Sequence, residues 1–243
     1  SEDLKLASLE GGTLRNAIPR ECFATLLVKD EASAKKAIEK IGAVLKSENA
    51  ETDPDMQIVF EPAAKAAPEC VEDADALRII RAIVACPDGV ERMSASVAGL
   101  CETSTNMAMV KVADGKWFVK SLLRSSVDTA KMALADKMKA VFDLAGATTT
   151  FDGAYSGWKP NPNSAILKVM KEVYLRKFGS EPLVMAIHAG LECGILSGAY
   201  PHWDMVSCGP TLLSPHSPDE RAFIPSVDKV WEYLKEVLAN IPE

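Results

Sequence analysis

A hairpin pattern around Asp114-Gly115 is the feature that most constrains the fold of this chain. The runs Met107–Ala113 and Lys116–Leu122 are rich in apolar residues suited to strands and flank this dipeptide directly. Asp-Gly accepts the positive φ angles of a two-residue turn, so we predict an antiparallel β-hairpin here. Other segments repeat apolar residues with the helical period, which indicates helices that cover a sheet. These predicted helices span residues 31–47, 73–85, 128–145, 164–178 and 226–240.

The pattern changes near residue 148, which predicts two regions. Residues 1–148 mix strands and helices as an α+β domain does, whereas residues 149–243 have the alternating order of an α/β sheet. Short strands are expected at 148–155, 183–187 and 205–208. About three strands and two helices are too few for a complete layered sheet. We therefore predict an α/β fold class and expect part of the second sheet to be missing from this chain.

Composition and charge exclude several classes of protein. The chain has 27 basic and 34 acidic side chains and a net charge of −7, so no basic face for nucleic acid is expected. No run approaches the roughly 18 apolar residues of a membrane span, and no signal peptide opens the chain. The six cysteines show neither Cys-x-x-Cys pairing nor zinc-finger spacing, which favours reduced thiols. We expect a cytoplasmic protein that binds neither nucleic acid nor a membrane.

Two of the three histidines lie in segments typical of site loops. His188 ends an apolar strand, where α/β sheets bind their ligands, although a structural histidine explains it equally well. His216 lies between Pro215 and Pro218, and such a stiff loop suits a metal ligand or a general base. The alternative is a turn that begins a helix at residues 217–220.

Neither histidine has the partners of a complete zinc site in this sequence. Zinc takes about four ligands, yet there is no His-x-Asp, no His-Glu-x-x-His and no close carboxylate cluster. A thiol nucleophile would instead pair Cys193 with His188 or Cys208 with His216. Both cysteines lie in apolar or tight segments, where a buried and inert thiol is more common.

Three further polar side chains lie beside predicted strands. Asn16 lies in the glycine-marked segment Gly11–Pro19, which is either a loop that holds a ligand or a plain hairpin turn. Asn106 opens the predicted hairpin, and Arg124 follows its second strand. Arginine can clamp a carboxylate with two hydrogen bonds, although a lone arginine is more often a surface charge.

Several motifs occur in a fixed order along essentially the whole chain. They are GGTLRNAIPRE at 11–21, ETSTN at 102–106, LLRS at 122–125, GAYSGW at 153–158, HAGLECG at 188–194, and GPT with PHSPDE at 209–220. Together they resemble the aminoacyl-histidine dipeptidases (Xaa-His or β-alanyl-histidine dipeptidases), zinc peptidases related to carnosinases and to the cytosol nonspecific dipeptidases. The resemblance is to the carboxyl-terminal half of such an enzyme.

The resemblance implies a role for each region and for each candidate residue. Residues 1–148 resemble the family's ferredoxin-like lid and dimerisation domain, and residues 149–243 resemble the carboxyl-terminal portion of its catalytic domain. His216 matches the last zinc ligand of the family, and Glu220 a residue that orients it. The groups expected to bind the dipeptide substrate are Asn16, Asn106 and Arg124 of the lid and His188, Gly190 and Glu192 of the catalytic part.

The resemblance also implies the chemistry and the partners. Family members hydrolyse dipeptides with one or two zinc ions, which polarise the peptide carbonyl and acidify a water. The other zinc ligands and the general-base glutamate have no counterpart here, so an amino-terminal catalytic portion is an expected partner and the chain alone is expected to be inactive. A homodimer through the lid is expected as well. The alternative function is a non-enzymatic ferredoxin-like module for dimerisation or ligand binding.

Overall fold

The computed structural model describes residues 4–64, 69–95, 99–158, 161, 163–185, 192–215 and 219–241. These residues form seven strands and six helices, so the mixed α/β class is confirmed. The strands are β1 (Leu4–Gly11), β2 (Cys22–Val28), β3 (Gly89–Met93), β4 (Cys101–Ala113), β5 (Lys116–Ser125), β6 (Leu212–Leu213) and β7 (Arg221–Ala222). The helices are α1 (Glu31–Glu48), α2 (Asp73–Ala85), α3 (Asp128–Leu144), α4 (Ala165–Phe178), α5 (Glu192–Ala199) and α6 (Ile224–Leu238).

The chain divides into two compact units, and the longest strand contributes to both. The first unit comprises Ser1–Cys86, Met107–Leu122 and Leu144–Ala147, and the second comprises Pro87–Asn106, Leu123–Asp143 and Thr148–Glu243. The main sheet has the order β2-β1-β4-β3, and β5 also pairs with β4.

The predicted hairpin is present in the first unit. Asp114 and Gly115 have φ angles of 53° and 67°, which are the left-handed values that the Asp-Gly turn requires. On the neighbouring strand, β1 pairs antiparallel with β4, with Leu9 opposite Val112. The turn therefore sets the direction of β5, and the pairing with β1 extends the hairpin into a sheet.

The core of the first unit lies between this sheet and α2. Leu6 and Val112 of the sheet pack against Ala76 and Ile79 of the helix, and all four are buried. The helix exposes its polar residues because its apolar positions recur with the helical period. In contrast, α1 buries only Gly42 among its residues, with Ile58 in contact with that glycine.

The second unit has two packing centres. Strand β3 pairs with β4, with Gly89 opposite Thr105, and the buried Thr105 hydroxyl contacts the sulfur of Met138 on α3 at 3.8 Å. Separately, α4 packs on α6 through a buried cluster of Met170, Val173, Tyr233 and Val237.

Two predicted strands are absent from the second unit. Residues 148–155 and 205–208 have no strand structure. Of the third predicted strand, at 183–187, residues 183–185 have no strand structure either, and the other two lie outside the described residues. Apolar runs form strands only when their backbone groups pair with a neighbour. Among the described residues these segments have no strand partner, and the small sheet of this region is instead β6 with β7.

No helix in the described part of the chain combines the length and the apolar character needed to cross a membrane.

Candidate substrate-binding site

Asn16 lies in the loop between β1 and β2 of the first unit, and its side chain is exposed. The loop is closed by a hydrogen bond from the Gly12 amide to the Glu21 carbonyl at 3.3 Å, and Ala17 donates to the Leu14 carbonyl at 3.2 Å. Gly12 has a φ of 71° and lies directly against the Ala108 carbonyl. Asn16 is therefore exposed on the loop that joins the antiparallel strands β1 and β2, and this geometry fits both a ligand-holding loop and a plain hairpin turn.

Asn106 and Arg124 lie on the paired strands β4 and β5, and both side chains are half-buried. Close to them, the buried Thr103 hydroxyl shares a 2.9 Å hydrogen bond with the Ser125 hydroxyl. Ser125 also donates to the Val127 carbonyl at 2.9 Å and accepts from the Val127 amide at 3.0 Å. This network fixes the chain immediately after Arg124.

An ion pair lies on the same strand as Asn106. Glu102 is paired with Arg92 of β3, and its side chain is only 14% exposed. The backbone carbonyl of Glu102 accepts a 3.1 Å hydrogen bond from the Ser126 amide. The start of β4 is thus joined both to β3 and to the segment that follows Arg124, so this end of the sheet is well braced.

Glu192 is the first residue of α5, and its side chain is exposed. The sequence predicts that Glu192 lies in a loop, but in the structure it begins a helix. A carboxylate is favourable there because it lies at the positive end of the helix dipole. His188 and Gly190, predicted to bind substrate with it, lie outside the described residues.

The predicted metal ligand His216 also lies outside the described residues, and its expected partner Glu220 is an exposed residue directly before β7. No helix begins at Asp219 or Glu220, because residues 221–222 form β7 and α6 begins at Ile224. The alternative interpretation of this segment as a helix start is therefore wrong.

Among the residues that the structure describes, no group of three or more histidine, cysteine, aspartate or glutamate side chains could hold a metal ion. His216, which the sequence predicts as one ligand of a site that needs about four, lies outside those residues.

Asp128 and Lys131, in the first turn of α3, are not among the residues predicted from the sequence. The Gly157 amide donates to Oδ1 of Asp128 at 3.0 Å, and Nζ of Lys131 donates to the same oxygen at 2.7 Å and to the Tyr155 carbonyl at 2.5 Å. The hydrogen bond from Lys131 is the main cause that lowers the pKa of the Asp128 carboxyl, and the Gly157 amide adds to it. The glycines of the GAYSGW motif are the only signal in the sequence for these contacts.

The chain has relatives in both sequence and structure. It is 40% identical over 243 residues to the cytosol non-specific dipeptidase of Escherichia coli (strain K12), covering 99% of this chain and 50% of that protein. It matches the crystal structure of aminoacylhistidine dipeptidase from Vibrio alginolyticus with a TM-score of 0.83 and 39% identity, covering 99% of this chain and 49% of that chain. This chain is similar to one half of a dipeptidase.

The resemblance expected from the motifs is thereby confirmed. Similarity over 99% of the chain means that both units, and not a single motif, are shared with the dipeptidases. The chain spans about half the length of the two relatives. No family model matches it.

Proposed function

We propose that this chain supplies the lid and the carboxyl-terminal catalytic portion of a zinc-dependent dipeptidase that acts on Xaa-His-type dipeptides. The observation that carries the proposal is the similarity along 99% of the chain to a protein named aminoacylhistidine dipeptidase. In the proposed division, residues 1–148 are the lid and residues 149–243 belong to the catalytic domain. The cytosol in the name of the Escherichia coli relative supports a cytoplasmic location.

The proposed roles follow the chemistry of each side chain. His216 would hold zinc through an imidazole nitrogen, with Glu220 orienting the ring. Zinc, when bound, would polarise the scissile carbonyl and acidify a water. Arg124 suits the carboxylate of the dipeptide, because its guanidinium forms two parallel hydrogen bonds.

The remaining candidates would complete substrate recognition. Asn16 and Asn106 carry amide donors suited to a carbonyl oxygen or a carboxylate. Glu192, as an exposed carboxylate, suits the ammonium group of a dipeptide. His188 and Gly190 are proposed to act beside it on the substrate termini.

This proposal requires a partner for turnover, because the general base and the other zinc ligands have no counterpart in the sequence. We therefore expect the chain alone to be inactive. The test is hydrolysis of β-alanyl-histidine with added zinc by the chain alone, by the amino-terminal half of the Escherichia coli relative alone, and by the two mixed.

Activity should appear only on mixing and should be abolished by His216→Ala. The control is His202→Ala, which replaces an exposed histidine outside the proposed metal site. Turnover by the chain alone would contradict the division of the active site, and a mixture that forms a complex without hydrolysing the dipeptide would contradict the activity.

A second candidate function, a dimerisation module, is favoured by the exposed apolar side chains of the first unit. On α1, Ile41 is 61% and Val44 52% exposed, and on β2 Phe23 is 69% exposed. An apolar helix face and a strand edge of this kind are typical of contacts between protein chains. Homodimerisation through this unit is compatible with either function.

Sedimentation of the chain and of its Ile41→Lys variant tests this candidate. A dimer that dissociates in the variant, but not in a Lys36→Glu control on the same helix, would support it. A monomer at high concentration would exclude dimerisation through the lid.

A further inference from the structure

Residues 155–157 of the second unit contact three separate parts of that unit. On one side they contact the first turn of α3, where Asp128 accepts from the Gly157 amide at 3.0 Å and Lys131 donates to the Tyr155 carbonyl at 2.5 Å. These side chains bond backbone groups that lie 29 and 24 residues away in sequence. Besides their bond to each other within α3, the two side chains therefore hold a distant segment.

The same segment lies against the residues that follow Arg124. A Cβ on Gly157 would lie 2.7 Å from the Ser125 carbonyl oxygen and 2.8 Å from that of Ser126. Such distances are too short for any side chain, so only glycine permits this approach. The end of β5 and residue 157 are consequently in direct backbone contact.

The segment also contacts α5. A Cβ on Gly194 would lie 2.7 Å from the Ser156 carbonyl oxygen, and one on Gly198 would lie 3.4 Å from the Ser156 hydroxyl. Gly194 and Gly198 lie one helical turn apart. Because neither has a side chain, α5, which begins with Glu192, can lie directly against Ser156.

We propose that Asp128 and Lys131 are positioning residues, which hold residues 155–157 between the end of β5 and α5 and thereby set Arg124 and Glu192 for the substrate. The role in substrate binding rests on the function proposed above, whereas the mechanical coupling does not. The contacts join the two elements that carry these candidate groups, and a displacement of the segment would move both elements.

The exposed fractions of the two side chains indicate whether the pair positions residues 155–157 or stabilises the whole second unit. The Asp128 side chain is 53% exposed and that of Lys131 17%. Because the Asp128 carboxylate lies in solvent, its attraction to Lys131 is screened and contributes little to the free energy of unfolding. Their loss should therefore loosen residues 155–157 locally while the second unit stays folded.

Hydrogen exchange of the full chain tests the coupling without any need for activity. The variants are Asp128→Ala, Asp128→Asn and Lys131→Met, and the control is Asp143→Ala, which breaks an exposed pair with Lys139 on the same helix. Asp128→Ala should speed exchange of the Gly157 amide by roughly tenfold, since a hydrogen bond to a charged group is lost.

Asp128→Ala should also speed hydrogen exchange in α5, because this helix packs against Ser156. Asp128→Asn keeps an oxygen that can accept the hydrogen bond from the Gly157 amide, so it should restore most of the protection. If Asp128→Ala acted only through lost packing, restoring this acceptor would not recover the protection. Unchanged exchange at residues 153–158, or faster exchange there without any change in α5, would overturn the proposal.

The link to substrate is measured separately in the mixture with the amino-terminal half of the relative. Asp128→Ala should raise KM for β-alanyl-histidine several-fold with a smaller change in kcat, and Asp128→Asn should recover the parental KM. An unchanged KM would overturn the positioning role. If the parental mixture hydrolyses no dipeptide, the proposed function fails, while the exchange results still decide whether Asp128 and Lys131 hold the segment.

Discussion

Gly12 lies directly against the carbonyl oxygen of Ala108, so closely that a Cβ at residue 12 would overlap that oxygen. The φ of Gly12 is 71°, which is the left-handed region that disfavours other residues. Both constraints act at the first residue of the loop that carries Asn16. The backbone contact with β4 therefore decides where this loop leaves the sheet.

Gly12→Ala should destabilise the first unit far more than Gly115→Ala. Each replacement places alanine at a positive φ, which costs roughly 1–2 kcal/mol. Nothing lies within 4 Å of a Cβ on Gly115, whereas at Gly12 the backbone itself must move. Denaturant unfolding of the two variants measures the difference, and equal losses of stability would show that the contact with Ala108 has no energetic weight.

The elements set by local chemistry were predictable from the sequence. The turn at Asp114-Gly115 and helix α2 are confirmed because turn residues and helical periodicity act over a few positions. The prediction of strands at 148–155 and 205–208 is wrong, because a strand forms only beside a pairing strand, and the sequence does not reveal which segment would pair.

In the candidate site, too, features set by local sequence could be predicted and a contact between distant residues could not. Asn106 and Arg124 were predicted to flank the hairpin, and the structure places them on its paired strands. The contact of Asp128 with Gly157 is not predictable in this way, because the two residues lie 29 positions apart and the helical period that places Asp128 at the start of α3 says nothing about residue 157. A hydrogen bond from a side chain to a distant backbone group leaves almost no trace in local sequence.

The start of α4 offers a prediction about a second aspartate. Asp204 accepts a hydrogen bond from the Ile166 amide at 3.0 Å, while Ser164 caps the same helix by accepting from the Leu167 amide at 3.0 Å. Asp204→Ala should lower the free energy of unfolding by about 1 kcal/mol, the usual effect of a lost helix cap. Thermal unfolding at neutral pH measures it, with Asp228→Ala in the exposed first half of α6 as the control.

The contribution of Asp204 should also depend on pH. The bond from the Ile166 amide, followed by that from the Ser164 hydroxyl, lowers the pKa of the Asp204 carboxyl. Because the pKa is lower in the folded state, the stabilisation is complete above the unfolded value of about 3.9 and is lost as the pH falls towards the folded value. Parental protein and Asp204→Asn should therefore converge in stability below about pH 4, and a constant difference down to acid pH would contradict this.

Two leucines of α3 separate core packing from surface exposure. Leu134 is 2% exposed, whereas Leu144 at the end of the helix is 89% exposed. Leu134→Ala should cost roughly 2–5 kcal/mol, because it removes buried apolar surface and leaves a cavity, while Leu144→Ala should be nearly neutral. Denaturant titrations compare them directly, and similar values would mean that α3 is not packed as the structure shows.

The thiols provide a prediction that separates hydrolysis by activated water from hydrolysis by cysteine. Partial burial raises the pKa of the Cys208 and Cys22 thiols. A raised pKa leaves less thiolate at neutral pH, and the thiolate is the reactive form. Iodoacetamide at neutral pH should therefore label Cys208 and Cys22 of the folded chain more slowly than it labels the cysteine of an unstructured peptide.

If the mixture of the chain with the amino-terminal half of the relative hydrolyses β-alanyl-histidine as proposed, Cys208→Ser and Cys193→Ser should retain activity, whereas His216→Ala should not. Rapid labelling at one of these two cysteines, accompanied by loss of turnover, would instead favour a thiol nucleophile. The contrast is decisive because the proposed zinc-activated water would require His216 but neither thiol, while a cysteine hydrolase fails as soon as its sulfur is replaced.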